Sequence, residues 1–142
     1  MRNLTKLGVL AAGATLFMTL GASPANAATA YASCATDGAS GSVNISNWNL
    51  KGSVTGITLE VYDEQSDGHH PAIRLAVPST GDSWSYFGWH ADYDGYGTYV
   101  SVPTYISSVP GGTVMAIRME VANMEGSKVL NYCAKELNNP VV

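Results

Sequence analysis

The sequence predicts an all-β fold: an antiparallel β-sandwich, immunoglobulin-like or jelly-roll-like, with about seven to eight strands and one disulfide. Three observations carry this. Apolar and polar residues alternate with a period of two in segment after segment, as on half-buried strands. Gly, Pro, Asp and Asn interrupt these segments about every 8 to 12 residues. No stretch after residue 27 sustains the 3.6-residue period of a helix.

Taken in order, residues 30–34 and 42–49 read as the first two strands, divided by Asp37-Gly38-Ala39-Ser40-Gly41. In residues 57–61, Ile57, Leu59 and Val61 share one face, with Thr58 and Glu60 on the other. Residues 73–77 repeat the pattern, with Ile73, Leu75 and Val77 inward and Arg74 outward. The loop Asp63-Glu64-Gln65-Ser66-Asp67-Gly68 between them predicts a hairpin. Residues 83–90 and 97–106 are rich in aromatic and β-branched side chains and flank a turn centred on Asp94-Gly95. After Pro110-Gly111-Gly112, Met115, Ile117, Met119 and Val121 alternate with Ala116, Arg118 and Glu120, and Glu125-Gly126-Ser127 turns the chain into residues 129–133 as a second hairpin.

The start of the chain reads as an export signal. Arg2 and Lys6 precede an apolar run over residues 7–21, and Pro24 stands before Ala25-Asn26-Ala27, the small-x-small pattern of a cleavage site. The run is too short and too rich in Gly, Thr and Ala for a membrane anchor, which needs about 20 apolar residues. Residues 1–27 are thus expected to be removed, leaving residues 28–142 as a single secreted, extracellular β domain.

Without Arg2 and Lys6 the seven basic residues become five, against eleven carboxylates, a formal net charge of −6. Binding of nucleic acid or of an anionic membrane is not expected, since phosphates demand a clustered basic patch. Cys34 and Cys133 are the two cysteines. In an oxidising compartment two such residues pair, and the bridge ties both ends of the domain together.

Seven aromatic side chains crowd residues 84–99, more than one short hairpin buries on a single face. On a strand Trp84 and Tyr86 point one way and Phe87 and Trp89 the other. Two readings follow. Trp84, Tyr86, Trp89, Tyr93 and Tyr96 form an exposed platform for sugar rings or a protein partner, or Phe87 and Trp89 fill the core while the tyrosines make cross-strand pairs.

His69, His70 and His90 with Asp63, Asp67 and Asp92 supply metal-ligand types, but adjacent side chains on an extended chain diverge, so no metal site is expected. Asp63-x-Gln65-x-Asp67-Gly68 imitates a calcium loop, yet Arg74 occupies the position of its bidentate Glu. There is no G-x-S-x-G elbow, and no serine or carboxylate pair is selected as catalytic. Neither an enzyme nor a cofactor is expected.

The leader ending Pro24-Ala25-Asn26-Ala27, the run Asp67-Gly68-His69-His70 with Ile73-Arg74-Leu75, Trp89-His90 to Tyr93-Asp94-Gly95, and Glu125-Gly126 with Leu130-Asn131-Tyr132-Cys133 resemble small secreted proteins of actinomycetes such as streptomycetes. The resemblance implies a secreted β fold of unknown function and transfers no catalytic residue. It also suggests a structural turn at Asp67, Gly68 and His69, with Asp67 accepting a backbone hydrogen bond across the hairpin and His69 leaning on Trp89.

The expected function is that of a secreted, non-enzymatic surface or structural protein that binds an extracellular protein or a cell-wall polysaccharide. A carbohydrate-binding module using Trp84, Trp89, Tyr93 and Tyr96 is one alternative. An extracellular protease inhibitor presenting residues 103–112 is another, weakened by the distance in sequence of both cysteines from that segment.

Overall fold

Period-two alternation becomes nine strands among the residues that the computed structural model describes, 27–50, 52–107, 109 and 112–142. Residues 1–26 of the predicted export signal and part of segment 103–112 lie outside them. The strands are β1 (Ala28–Thr36), β2 (Ala39–Trp48), β3 (Val54–Asp63), β4 (His70–Pro78), β5 (Trp84–Tyr86), β6 (His90–Ala91), β7 (Tyr99–Ile106), β8 (Ala116–Glu125) and β9 (Lys128–Asn138). A first antiparallel sheet runs β1-β2-β3-β7, and a second runs β5-β4-β8-β9 with β6 also on β4. The strand count exceeds the expected eight because the segment 83–90 splits in two. No helix among the described residues is long and apolar enough to cross a membrane.

The inward faces are those the alternation predicts. Val43, Ile45, Ile57, Leu59 and Val61 of the first sheet meet Ile73, Leu75, Val77, Ile117, Met119 and Val121 of the second, all essentially buried. Two such faces stack about 10 Å apart. Trp48 closes one end of the sandwich: its indole N–H donates to the Val114 carbonyl at 2.9 Å, and Asn139 Nδ2 donates to the same oxygen at 3.1 Å. Burying that ring is tolerated because its only polar group is satisfied.

Turn chemistry sets two tight hairpins. Gly38 (φ 83°) follows Asp37 between β1 and β2, so the predicted five-residue divider shrinks to Asp37-Gly38. Gly126 (φ 60°) leads into Ser127 between β8 and β9, the predicted second hairpin.

The expected hairpin of residues 57–61 with 73–77 does not form. β3 pairs with β2 and β7, whereas β4 pairs with β5, β6 and β8, so the loop after Asp63 carries the chain from one sheet to the other. Likewise the Asp94-Gly95 turn crosses from β6 in the second sheet to β7 in the first. Residues 57–61 and 73–77 are both amphipathic, and packing them across the core buries their apolar faces against each other, which edge-to-edge pairing does not.

Cys34 of β1 and Cys133 of β9 are bonded, with Cα atoms 6.2 Å apart, and close the seam where the outermost strands of the two sheets meet. Thr36 Oγ1 donates to Asn131 Oδ1 across the same seam at 2.8 Å. The bridge spans a sequence separation of 99, a loop long enough for a large entropic effect on the unfolded chain. Replacing both cysteines by Ala is expected to lower the unfolding free energy by about 3–4 kcal/mol in urea titrations, and dithiothreitol should produce the same loss in the unaltered chain.

Candidate functional site

On β5 and β6 the predicted alternation is reset. Ala76 faces Tyr86 and Ile73 faces His90, so three steps along β4 match four along its partner. This one-residue bulge at Phe87-Gly88-Trp89 turns Trp89 to the face that holds Trp84 and Tyr86. The expectation that Phe87 and Trp89 lie opposite Trp84 and Tyr86 and fill the core is not met. Phe87 is 42% exposed, and Trp89 packs on Ala72, Ala122 and Met124, on the outer side of the second sheet.

There the aromatics cover a charged network. Glu120, buried on β8, accepts from Arg74 Nη2 at 2.7 Å and Arg74 Nε at 2.9 Å through Oε2, and from Arg118 Nε at 2.9 Å through Oε1. Arg118 Nη1 continues to Glu136 Oε1 at 3.0 Å. The Arg74 guanidinium stands 4.0 Å from the ring centre of Tyr86 and 4.2 Å from that of Trp89, and Arg118 stands 5.8 Å from Trp84. A buried carboxylate is tolerable only when paired, and planar guanidinium groups that stack on rings are suited to the task. The Glu120 carboxylate holds the Arg118 guanidinium firmly protonated. Three of the five predicted platform residues thus each have a face against an arginine of the protein itself.

The other two lie nearer the loops. Tyr93 is 76% exposed and tilts against His70, ring centres 4.5 Å apart, beside a shallow groove of about 380 Å³ that also meets Trp89 and Met124. Tyr96 is exposed in the crossing between Gly95 and Gly97, both at positive φ. Asp92, fully buried, pins this crossing by accepting from the Asp94 N–H at 2.9 Å and from Thr98 Oγ1 at 2.8 Å.

The chain bends at Asp67 and Gly68, with Gly68 at φ 77°. Asp67 Oδ1 accepts from the His69 N–H at 2.9 Å, and Oδ2 accepts from Asn123 Nδ2 at 3.2 Å and lies 3.2 Å from His69 Nδ1. The bond is local to the turn, not across a hairpin, and the ring pair is His70 with Tyr93, not His69 with Trp89. The His69 N–H, and after it Asn123 and the His69 ring, hold the Asp67 carboxyl below the usual Asp range. Among the described residues no group of three or more His, Cys, Asp or Glu is placed to hold a metal ion.

A surface that the sequence reading missed covers the outer face of the first sheet. Register aligns three rows across the strands: Ala35-Ser40-Tyr62-Tyr99, Ser33-Ser42-Glu60-Ser101 and Tyr31-Asn44-Thr58-Pro103. Tyr62 and Tyr99 stack with ring centres 5.1 Å apart, and the Tyr62 hydroxyl donates to Glu60 Oε2 at 3.2 Å. Partial desolvation, then the Glu60 carboxylate and the neighbouring Tyr99 and Tyr31, push the Tyr62 hydroxyl above the usual tyrosine range. Tyr31, Ser33, Ser40, Ser42, Glu60 and Tyr62 line a groove of about 370 Å³. The signal available in the sequence was that Tyr31, Tyr62 and Tyr99 each occupy an outward position of an alternating segment.

These features define a two-sheet antiparallel sandwich with aromatic side chains on both outer faces. No known protein family, curated protein or solved structure matches the chain.

Two outcomes follow from the second sheet and its turn. Glu120→Gln, which leaves two arginines without their shared carboxylate, is expected to cost about 3 kcal/mol in urea unfolding. A carboxyl with a depressed folded pKa contributes stability above its unfolded value, about 3.9 for Asp, and loses it as pH falls through the folded value. The melting temperature of Asp67→Ala should therefore lie below that of the unaltered chain at about pH 6, and the gap should narrow at about pH 2.

Proposed function

We propose that the chain is exported, loses residues 1–27, and acts outside the cytoplasm as a non-enzymatic binding β-sandwich. Its partner is an extracellular protein or a cell-wall polysaccharide, held through exposed aromatic side chains. One observation carries the reading: all eight tyrosines are exposed, from 36% at Tyr62 to 76% at Tyr93, while the core is aliphatic apart from Trp48. Tyrosine offers a large, stiff contact surface with a polar tip at little entropic cost, which is why it is enriched where surfaces recognise other molecules.

Three further features support it. The Cys34–Cys133 disulfide suits an oxidising compartment. β1 starts at Ala28, where the mature chain is expected to begin, so cleavage there leaves all nine described strands intact. The buried carboxylates serve the framework: Asp92 and Asp63 cap turns and Glu120 holds two arginines.

Expression of the full chain in a secreting Gram-positive host tests the proposal. The medium should contain a form starting at Ala28 with no free thiol, and that form should be retained by isolated cell-wall material or by a protein extracted from it. A chain that stays in the cell with residues 1–27 attached, or a mature form that neither walls nor wall proteins retain, would overturn it.

A further inference from the structure

We propose that the outer face of the first sheet binds a neutral glycan chain, laid along the Ser33-Ser42-Glu60-Ser101 row between Tyr31 and the Tyr62–Tyr99 pair. This rests on the reading above as an extracellular binding protein and supplies its ligand class and its face.

The dimensions suit a chain of sugar rings. Four strands about 4.8 Å apart make the row about 14 Å long, and the flanking rows stand about 6.7 Å to either side. The groove of about 370 Å³ falls within the range of sites that hold small ligands.

The chemistry is two-sided, as a sugar is. A pyranose ring presents a face of C–H groups and an edge of hydroxyls. Tyr31, 65% exposed, and the stacked Tyr62–Tyr99 pair offer ring faces to the first. Ser33, Ser42 and Ser101 offer hydroxyls that both donate and accept to the second, and Glu60 offers a strong acceptor. These groups are unspent. Among the described residues the hydroxyls of Ser33, Ser42 and Ser101 and Oε1 of Glu60 have no hydrogen-bond partner, and Oε2 of Glu60 is held in place by the Tyr62 hydroxyl.

Charge and composition narrow the class. β1, β2, β3 and β7 contain no Lys or Arg, so an anionic polymer meets only Glu60 and the acidic balance of the chain. A protein partner is disfavoured as well, since interface cores are depleted in Ser, Ala and Glu, which pave this face. The opposite sheet differs in kind, because Arg74 already occupies the rings of Tyr86 and Trp89.

The test uses the mature, disulfide-bonded chain, with chitohexaose and cellohexaose in titration calorimetry and chitin and cellulose as solid phases. One of the two hexamers is expected to bind. Tyr31→Ala should weaken it about tenfold and Glu60→Ala should weaken it as well, Tyr31→Phe should keep most of the affinity, and Tyr132→Ala on the second sheet should change nothing. Because Tyr31 is solvent-exposed, its variants should melt with the unaltered chain. Binding of neither hexamer, equal affinity in Tyr31→Ala and Glu60→Ala, or an equal loss in Tyr132→Ala would overturn the assignment. If the chain is retained by cell walls but neither hexamer displaces it, the glycan face is wrong and the extracellular reading stands. Absence of export and of any wall retention removes that reading itself.

Discussion

At Gly41 the two sheets pack too closely for a side chain. A Cβ there would fall 2.7 Å from the Glu60 carbonyl oxygen and 2.8 Å from Val121 Cγ2, with Ile73 Cδ1 at 3.3 Å. Gly41 is the register partner of Cys34, and Val121 is the partner of Cys133, so this contact and the disulfide lie at one level of the sandwich. The bond demands that β1 and β9 approach, and the missing side chain on β2 lets the sheets come close enough for it. Around that point aliphatic side chains fill a layer about 10 Å thick, and among the described residues Trp48 is the one fully buried aromatic.

A thin aliphatic core sends the aromatics outward, and the two outer faces use them differently. On the second sheet, Trp84, Tyr86 and Trp89 shield arginines that in turn hold a buried carboxylate, so the rings, the guanidinium groups and Glu120 stabilise one another. On the first sheet, Tyr62 and Tyr99 stack with each other and Tyr31 stands apart, beside Ser33, Ser42 and Ser101, whose hydroxyls have no hydrogen-bond partner among the described residues. One face is internally satisfied and the other keeps its polar groups available.

Which residues face inward was legible, because period two is a local property: Ile57, Leu59 and Val61, and Ile73, Leu75 and Val77, lie where alternation puts them. Which strand each one pairs with was not. The loop after Asp63 is equally able to close a hairpin or to cross between sheets, and only the completed core decides. Gly41 read as part of a turn, since a glycine required by sheet-to-sheet contact looks the same in sequence as one required by a bend. The bulge at Phe87-Gly88-Trp89 was equally hidden: one extra residue turns Trp89 over without altering the composition of the segment. The tyrosine face of the first sheet escaped notice for a related reason. Tyr62 and Tyr99 meet only because β3 pairs with β7, a long-range pairing that alternation does not encode.

The seam bears on the proposed glycan face as well as on stability. β1 is an edge strand at the expected start of the mature chain, the kind of element that frays unless something ties it down. It supplies Tyr31 and Ser33, one wall and part of the floor of the groove. Cys34, the next residue, points the other way into the seam and is bonded to β9. The disulfide therefore orders the strand before any ligand arrives, and the entropy of fixing Tyr31 and Ser33 is charged to folding and not to binding. On that argument a groove on an edge strand can be as well organised as one at the centre of a sheet.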